Sequence, residues 1–216
     1  MKNVRVFYRK KSLLKFVSHL DMNRFMVRML RQTNIPLWYT EGFNSHAYIN
    51  FALPLSFGFE SDYEVMDLKL TDDNYSTLTV TKELKGVMPK FLEIIKTEEP
   101  VFKTGSIAFA KFEINFEDNG KLYNSLKEFL GSNNISVLKK NKKGIEKEFS
   151  ISDKINGFEL TNNGNTVLKI ILAAGSTNNV NPALLLTAFA QHVKCELPFY
   201  SVNRTMLYTE NMEEFK

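Results

Sequence analysis

One order of elements, strand-helix-strand-strand-helix-strand, can be read twice along this chain, and it restricts the fold more than any other feature. In the first pass Val4 to Tyr8 reads as a strand, and Ser18 to Thr33 carries Met22, Phe25, Met26, Met29 and Leu30 at helical spacing until Pro36 stops it. Ala47 to Leu55 and Tyr63 to Leu70 read as two strands around a Ser56-Phe57-Gly58 turn. A helix from Asp73 to Lys85, with Gly86 as its C-cap, and a strand ending before Pro100 complete the set.

The pattern restarts beyond Pro100. Ile107 to Phe116 reads as a strand and Lys121 to Leu130 as a helix ended by Gly131. Ile135 to Lys139, Glu146 to Ile151 and Val167 to Leu172 read as strands, with one more strand than the first half needs. Asn181 and Pro182 occupy the favoured cap and first positions of a further helix, and Val202 to Tyr208 closes the half. The expectation is an α+β protein of two tandem ferredoxin-like (βαββαβ) sandwiches with antiparallel sheets, residues 1–100 carrying the site and residues 101–216 forming the second half. With 216 residues and 44% hydrophobic content, each half can bury a core.

Charge is distributed unevenly. Residues 1–31 hold nine Lys/Arg (2, 5, 9, 10, 11, 15, 24, 28, 31) against Asp21, which is 9 − 1 = +8, although the whole chain is only +4. Residues 60–73 hold six acids against Lys69, which is 1 − 6 = −5. Lys139-Lys140-Asn141-Lys142-Lys143 forms a second basic run. Such segregation suits a polyanion on one side and a cation or basic partner on the other.

Ser18 with Asp21 three residues on forms a capping box, in which the hydroxyl accepts a backbone N–H and the carboxylate reaches back to the cap. Arg24, Arg28 and Arg31 fall at i, i+4 and i+7, a stripe that matches either a solvated face or a phosphate-contacting one. Lys15 adds field near the helix start. Gly42, Phe43 and Asn44 form a turn that can present backbone donors, with Trp38, Tyr39 and Phe43 able to stack on bases.

His19 and His46 would face one another near Asp21, Glu41, Glu60 or Glu64, a set capable of acid-base chemistry; no metal is expected, because the spacing matches no tight ligand motif. His192 reads as a core-edge residue and Cys195 as a small buried one. A single cysteine excludes an internal disulfide framework and a cluster or thiolate zinc site built by this chain alone. With no apolar leader or spanning segment, the chain reads as cytoplasmic.

Phe16-Val17-Ser18-His19-Leu20-Asp21, Arg24, Arg28, Pro36, Glu41-Gly42-Phe43-Asn44, His46, Phe51-Ala52-Leu53-Pro54-Leu55, Gly58, Glu60-Ser61, Glu64 and Asp67 together resemble the radical-SAM-linked protein family, a domain of unknown function. The resemblance is dense over residues 3–70. Where that family tends to write Pro-His-Pro-Lys, this chain has Ser45-His46-Ala47-Tyr48.

The resemblance implies a working partnership with a radical SAM enzyme, whose S-adenosylmethionine and iron-sulfur cluster would belong to the partner and not to this chain. The leading expectation is a non-catalytic accessory module that recognises RNA or another phosphate-rich substrate. Arg24, Arg28, Arg31, Lys15, Ser18, His19, Gly42, Phe43, Asn44 and His46 would contact it, and Asp21, Glu41, Glu60, Glu64 and Asp67 would serve structure or face the partner. The alternatives are a metal-independent endoribonuclease using His19 or His46 as base, and a protein-protein adaptor docking through residues 60–73.

Overall fold

The computed structural model of the chain describes residues 1–132, 134–140, 146–175 and 178–216. The lysine run of 139–143 falls largely outside them. Two compact units form: Met1–Ser106 together with Glu214–Lys216, and Ile107–Glu213.

In the first unit the elements are β1 (Lys2–Lys10), α1 (His19–Leu30), β2 (Ile49–Phe51), β3 (Glu60–Leu70), α2 (Thr77–Val87) and β4 (Leu92–Glu98). Their strands pair antiparallel in the order β4-β1-β3-β2. Val4, Val6 and Tyr8 of β1, with Met66, Leu68 and Leu70 of β3, meet Met22, Met26 and Leu30 of α1 and Val80 and Leu84 of α2 in one core. Side chains alternate across a strand, so Arg5 and Phe7 point to the opposite face. That face is covered as well: Phe215 lies over Arg5 and Tyr63 packs on Phe7 with ring centroids 5.4 Å apart, which leaves β1 buried almost throughout.

The second unit runs β5 (Ile107–Phe116), α3 (Tyr123–Gly131), β6 (Ser136–Lys140), β7 (Glu146–Ser150), β8 (Ile155–Asn162), β9 (Thr166–Ala173), α4 (Pro182–Val193) and β10 (Tyr200–Thr209). Its main sheet has the order β10-β5-β9-β8, while β6 and β7 pair with each other in a separate two-stranded sheet among the described residues. With that hairpin set aside, the connectivity and strand order repeat those of the first unit. The structure is therefore α+β with antiparallel sheets and four α-helices among the described residues.

Some expected boundaries move. Helix α2 begins at Thr77 because Asp72 accepts from the Asn74 N–H at 2.8 Å, folding 72–74 into a turn, and Gly86 lies inside the helix with Met88 at its C-cap. The strand expected over Ala47 to Leu55 is regular only for Ile49–Phe51. β8 is an additional strand: five of its eight residues are exposed, so it lacks the apolar alternation by which strands are read. Cys195 is exposed, contrary to expectation. It follows Lys194, whose left-handed φ of 52° ends α4, and so lies beyond the helix face that packs inward.

Candidate functional site

The start of α1 is held by a capping box of altered form. The Ser18 hydroxyl accepts from the Asp21 N–H at 3.1 Å and donates to the Asp21 carboxylate at 2.7 Å. Aspartate is one methylene shorter than glutamate, and here its carboxylate meets the cap hydroxyl; the expected bond back to the cap N–H is not formed among the described contacts. Beyond the cap, Arg24, Arg28 and Arg31 are all exposed. Arg24 lies 3.5 Å from Asp21, and neither Arg28 nor Arg31 forms an ion pair among the described residues.

The remaining cations of the basic N-terminal block are placed differently. Antiparallel pairing of β1 with β3 and β4 lays that block directly against acidic residues. Arg5 takes Asp67 in a two-pronged pair with both contacts at 2.7 Å. Arg9 meets Glu93 at 2.8 Å, Lys2 meets Glu99 at 2.8 Å, and Lys11 meets Asp62 at 2.9 Å. Lys15 lies 3.9 Å from Glu60, and the same carboxylate accepts from the Ser12 N–H at 3.0 Å. Lys10 is buried and donates to the Val17 carbonyl at 3.0 Å. The charge segregation visible along the sequence is thus largely cancelled in space, and the exposed α1 stripe is what remains of it.

His19 is exposed, its ring edge-on to Phe51 with centroids 5.1 Å apart. It lines a small pocket at the start of α1 together with Tyr8, Lys10, Met22, Phe51 and Glu64. Tyr8 and Glu64 are cross-strand partners there, and both are buried. Sequence reading found His19 and Glu64 but missed Tyr8 and Lys10; their even-numbered positions on β1, the helix-facing set, were the available signal.

His46 has a separate, local setting: its Nδ1 lies 2.9 Å from the Asn44 carbonyl and 3.1 Å from the Thr40 hydroxyl, and it does not line that pocket. Gly42 carries the expected positive φ, 121°, with open space where a Cβ would stand. Asn44 does not share that conformation. Phe43 is fully exposed, and Glu41 is exposed. No group of three or more His, Cys, Asp or Glu side chains is placed to hold a metal ion among the described residues, and no helix among them is long and apolar enough to cross a membrane.

In the second unit His192 packs on Phe129, ring centroids 5.2 Å apart, and lines a cleft with Ser132, Ser136, Glu148 and Gln191. The Ser136 hydroxyl donates to Glu148.

A family model described as an uncharacterized protein conserved in bacteria, DUF2344, matches residues 3–182. No curated protein matches the chain.

Proposed function

The chain belongs to the DUF2344 family, and from that premise we propose that it is a non-catalytic binding module whose α1 outer face takes a phosphate-rich ligand, RNA foremost. One observation carries this reading: Arg28 and Arg31 stay exposed and without an ion pair among the described residues, while Lys2, Arg5 and Arg9 of β1, and Lys11 just beyond it, are matched to carboxylates. Arginine keeps its charge and offers a fork that fits phosphate oxygens. Three arginines separated by seven residue steps, Arg24 to Arg31, span roughly 10 Å of helix at about 1.5 Å per step, enough to touch more than one phosphate of a strand. In the same reading each unit is ferredoxin-like; the repeated strand order, β4-β1-β3-β2 and β10-β5-β9-β8, supports that assignment. Chemistry would come from a partner enzyme, for which the sequence resemblance suggests a radical SAM protein.

Filter binding of RNA over a salt series tests the module. Wild type retains RNA at low salt and loses it steeply as salt rises, and Arg28→Glu/Arg31→Glu abolishes retention at every salt. No retention by wild type, or equal retention by the variant, overturns the reading.

A further inference from the structure

Two exposed aromatic rings stand beside the start of the arginine-bearing helix. Phe16 is 54% exposed and Phe57 is 66% exposed, with ring centroids 5.8 Å apart and planes tilted by 55°. They come from segments far apart in sequence. Phe16 ends a 3-10 turn, Ser12–Phe16, and Phe57 sits in the turn before β3. The pairing is built: the Gly58 N–H donates to the Lys15 carbonyl at 2.8 Å, tying the two segments together, and the Lys15 ammonium stands 5.3 Å from the Phe16 ring centre.

More than half of each residue is exposed, so neither phenylalanine fills the core, and the two together make an apolar spot on the surface. Leu20, 59% exposed, stands on the first turn of α1 four residues before Arg24, so an apolar end leads directly into the stripe of Arg24, Arg28 and Arg31. Aromatic faces beside a row of cations match one ligand in particular, a nucleic-acid strand whose bases are unstacked and whose backbone is anionic. Every base has a face to stack, and the phosphates follow the arginines. A duplex hides its base faces and would use the arginines alone.

We propose that Phe16 and Phe57 form a stacking platform for an unpaired base and that the ligand of this surface is single-stranded or looped RNA. The assignment rests on the arginine-face reading above and adds the strandedness of the ligand.

Titration of a fluorescently labelled 12-nucleotide unpaired RNA and of a duplex of equal length tests it, using wild type, Phe16→Ala/Phe57→Ala, Phe16→Trp/Phe57→Trp and Arg28→Glu/Arg31→Glu. Wild type binds the unpaired strand about tenfold more tightly, the alanine variant loses that margin while its duplex affinity is unchanged, and the tryptophan variant keeps it. Equal wild-type affinity for both RNAs, or a margin that survives in the alanine variant, overturns the platform and leaves the arginine face standing. Undiminished binding by the arginine variant overturns the arginine face itself. Absence of RNA binding by wild type, with the patch instead capturing a protein, overturns both.

Discussion

The Arg5 guanidinium lies 4.2 Å from the centre of the Phe215 ring, so a residue near one end of the sequence is roofed by one near the other. Arg5 and Phe215 are both fully buried, and Tyr63 adds a hydrogen bond from its hydroxyl to the Phe215 carbonyl at 2.8 Å. Beneath the ring, Arg5 and Asp67 are directly opposed across β1 and β3. A buried guanidinium stripped of its carboxylate keeps its desolvation cost and loses its counterpart. Asp67→Asn is therefore expected to destabilise the first unit by about 3–5 kcal/mol. Phe215→Ala is expected to cost about 3–5 kcal/mol through the cavity it opens. Urea denaturation of the purified variants measures both, and a loss under about 1 kcal/mol for Asp67→Asn would mean that the pair is dispensable.

The second unit has its own buried carboxylate. Asp118 accepts four hydrogen bonds, from the N–H groups of Gly120 at 3.1 Å, Leu122 at 2.7 Å and Thr166 at 2.8 Å and from the Thr166 hydroxyl at 2.6 Å. Burial pushes its carboxyl upward, but the bonds from Thr166, Leu122 and Gly120 outweigh burial and hold it below the ordinary value of 3.8. A depressed folded value means that the ionised form supplies stability. That stability is complete above the unfolded value, near pH 4, and is lost as pH falls through the folded one. Asp118→Asn removes an acceptor from the Leu122 N–H and should cost about 1–3 kcal/mol at pH 7. The gap between wild type and variant should narrow below pH 4. Thermal melts at pH 7 and pH 3 decide it, and a gap of constant size would contradict the assigned cause.

How far the sequence anticipated all this depended on how local each signal was. Ser18 and Asn181 were legible as caps because a cap bonds within three residues of itself, and both do so here. The repeated element order was legible because buried strands and helix faces write their apolar period into the chain. β8 was not, because an edge strand with five exposed residues has no such period to show. The fate of the basic block was not legible either. Arg5 finds Asp67 at a separation of 62 residues and Arg9 finds Glu93 at 84, and only strand register brings them together. Summed charge along a segment therefore overstated the field that the folded surface presents.

Tyr75 gives a spectroscopic marker for the first unit. Its hydroxyl donates to Glu83 at 2.6 Å, and the other oxygen of that carboxylate accepts from the Asn34 N–H at 2.6 Å. The hydrogen bond to Glu83, then burial and the nearby charges of Glu83 and Asp72, raise the phenol to about 12. A raised value means the neutral phenol is favoured in the fold, so its contribution is present below the unfolded value near 10 and disappears as pH climbs through the folded one. Phenolate absorbance, taken as the difference between wild type and Tyr75→Phe, should show a late titration that Glu83→Gln moves back toward 10. A difference curve centred near 10 in the unmutated protein would refute the contact.

Glu60 offers a quantitative check on how many cations are available to a polyanion. Its carboxylate lies 3.9 Å from Lys15 and 3.8 Å from Lys11, and Lys11 has Asp62 at 2.9 Å besides. If Arg24, Arg28 and Arg31 alone meet phosphates, the logarithm of affinity for single-stranded RNA should fall against the logarithm of salt with a slope of about −2, from −0.7 per neutralised phosphate. Glu60→Gln keeps an oxygen for the Ser12 N–H but removes the negative charge beside Lys15. One more cation then becomes available, and the slope should steepen by about 0.7, while stability changes by less than about 1 kcal/mol, as expected for a partly exposed pair. Lys11→Gln should leave the slope where it was, because Asp62 already neutralises that ammonium. Slopes from fluorescence titrations between low and moderate salt settle the matter. A Glu60→Gln slope equal to wild type would place Lys15 away from the RNA path, and a wild-type slope well beyond −2 would return the β1 cations to the interface.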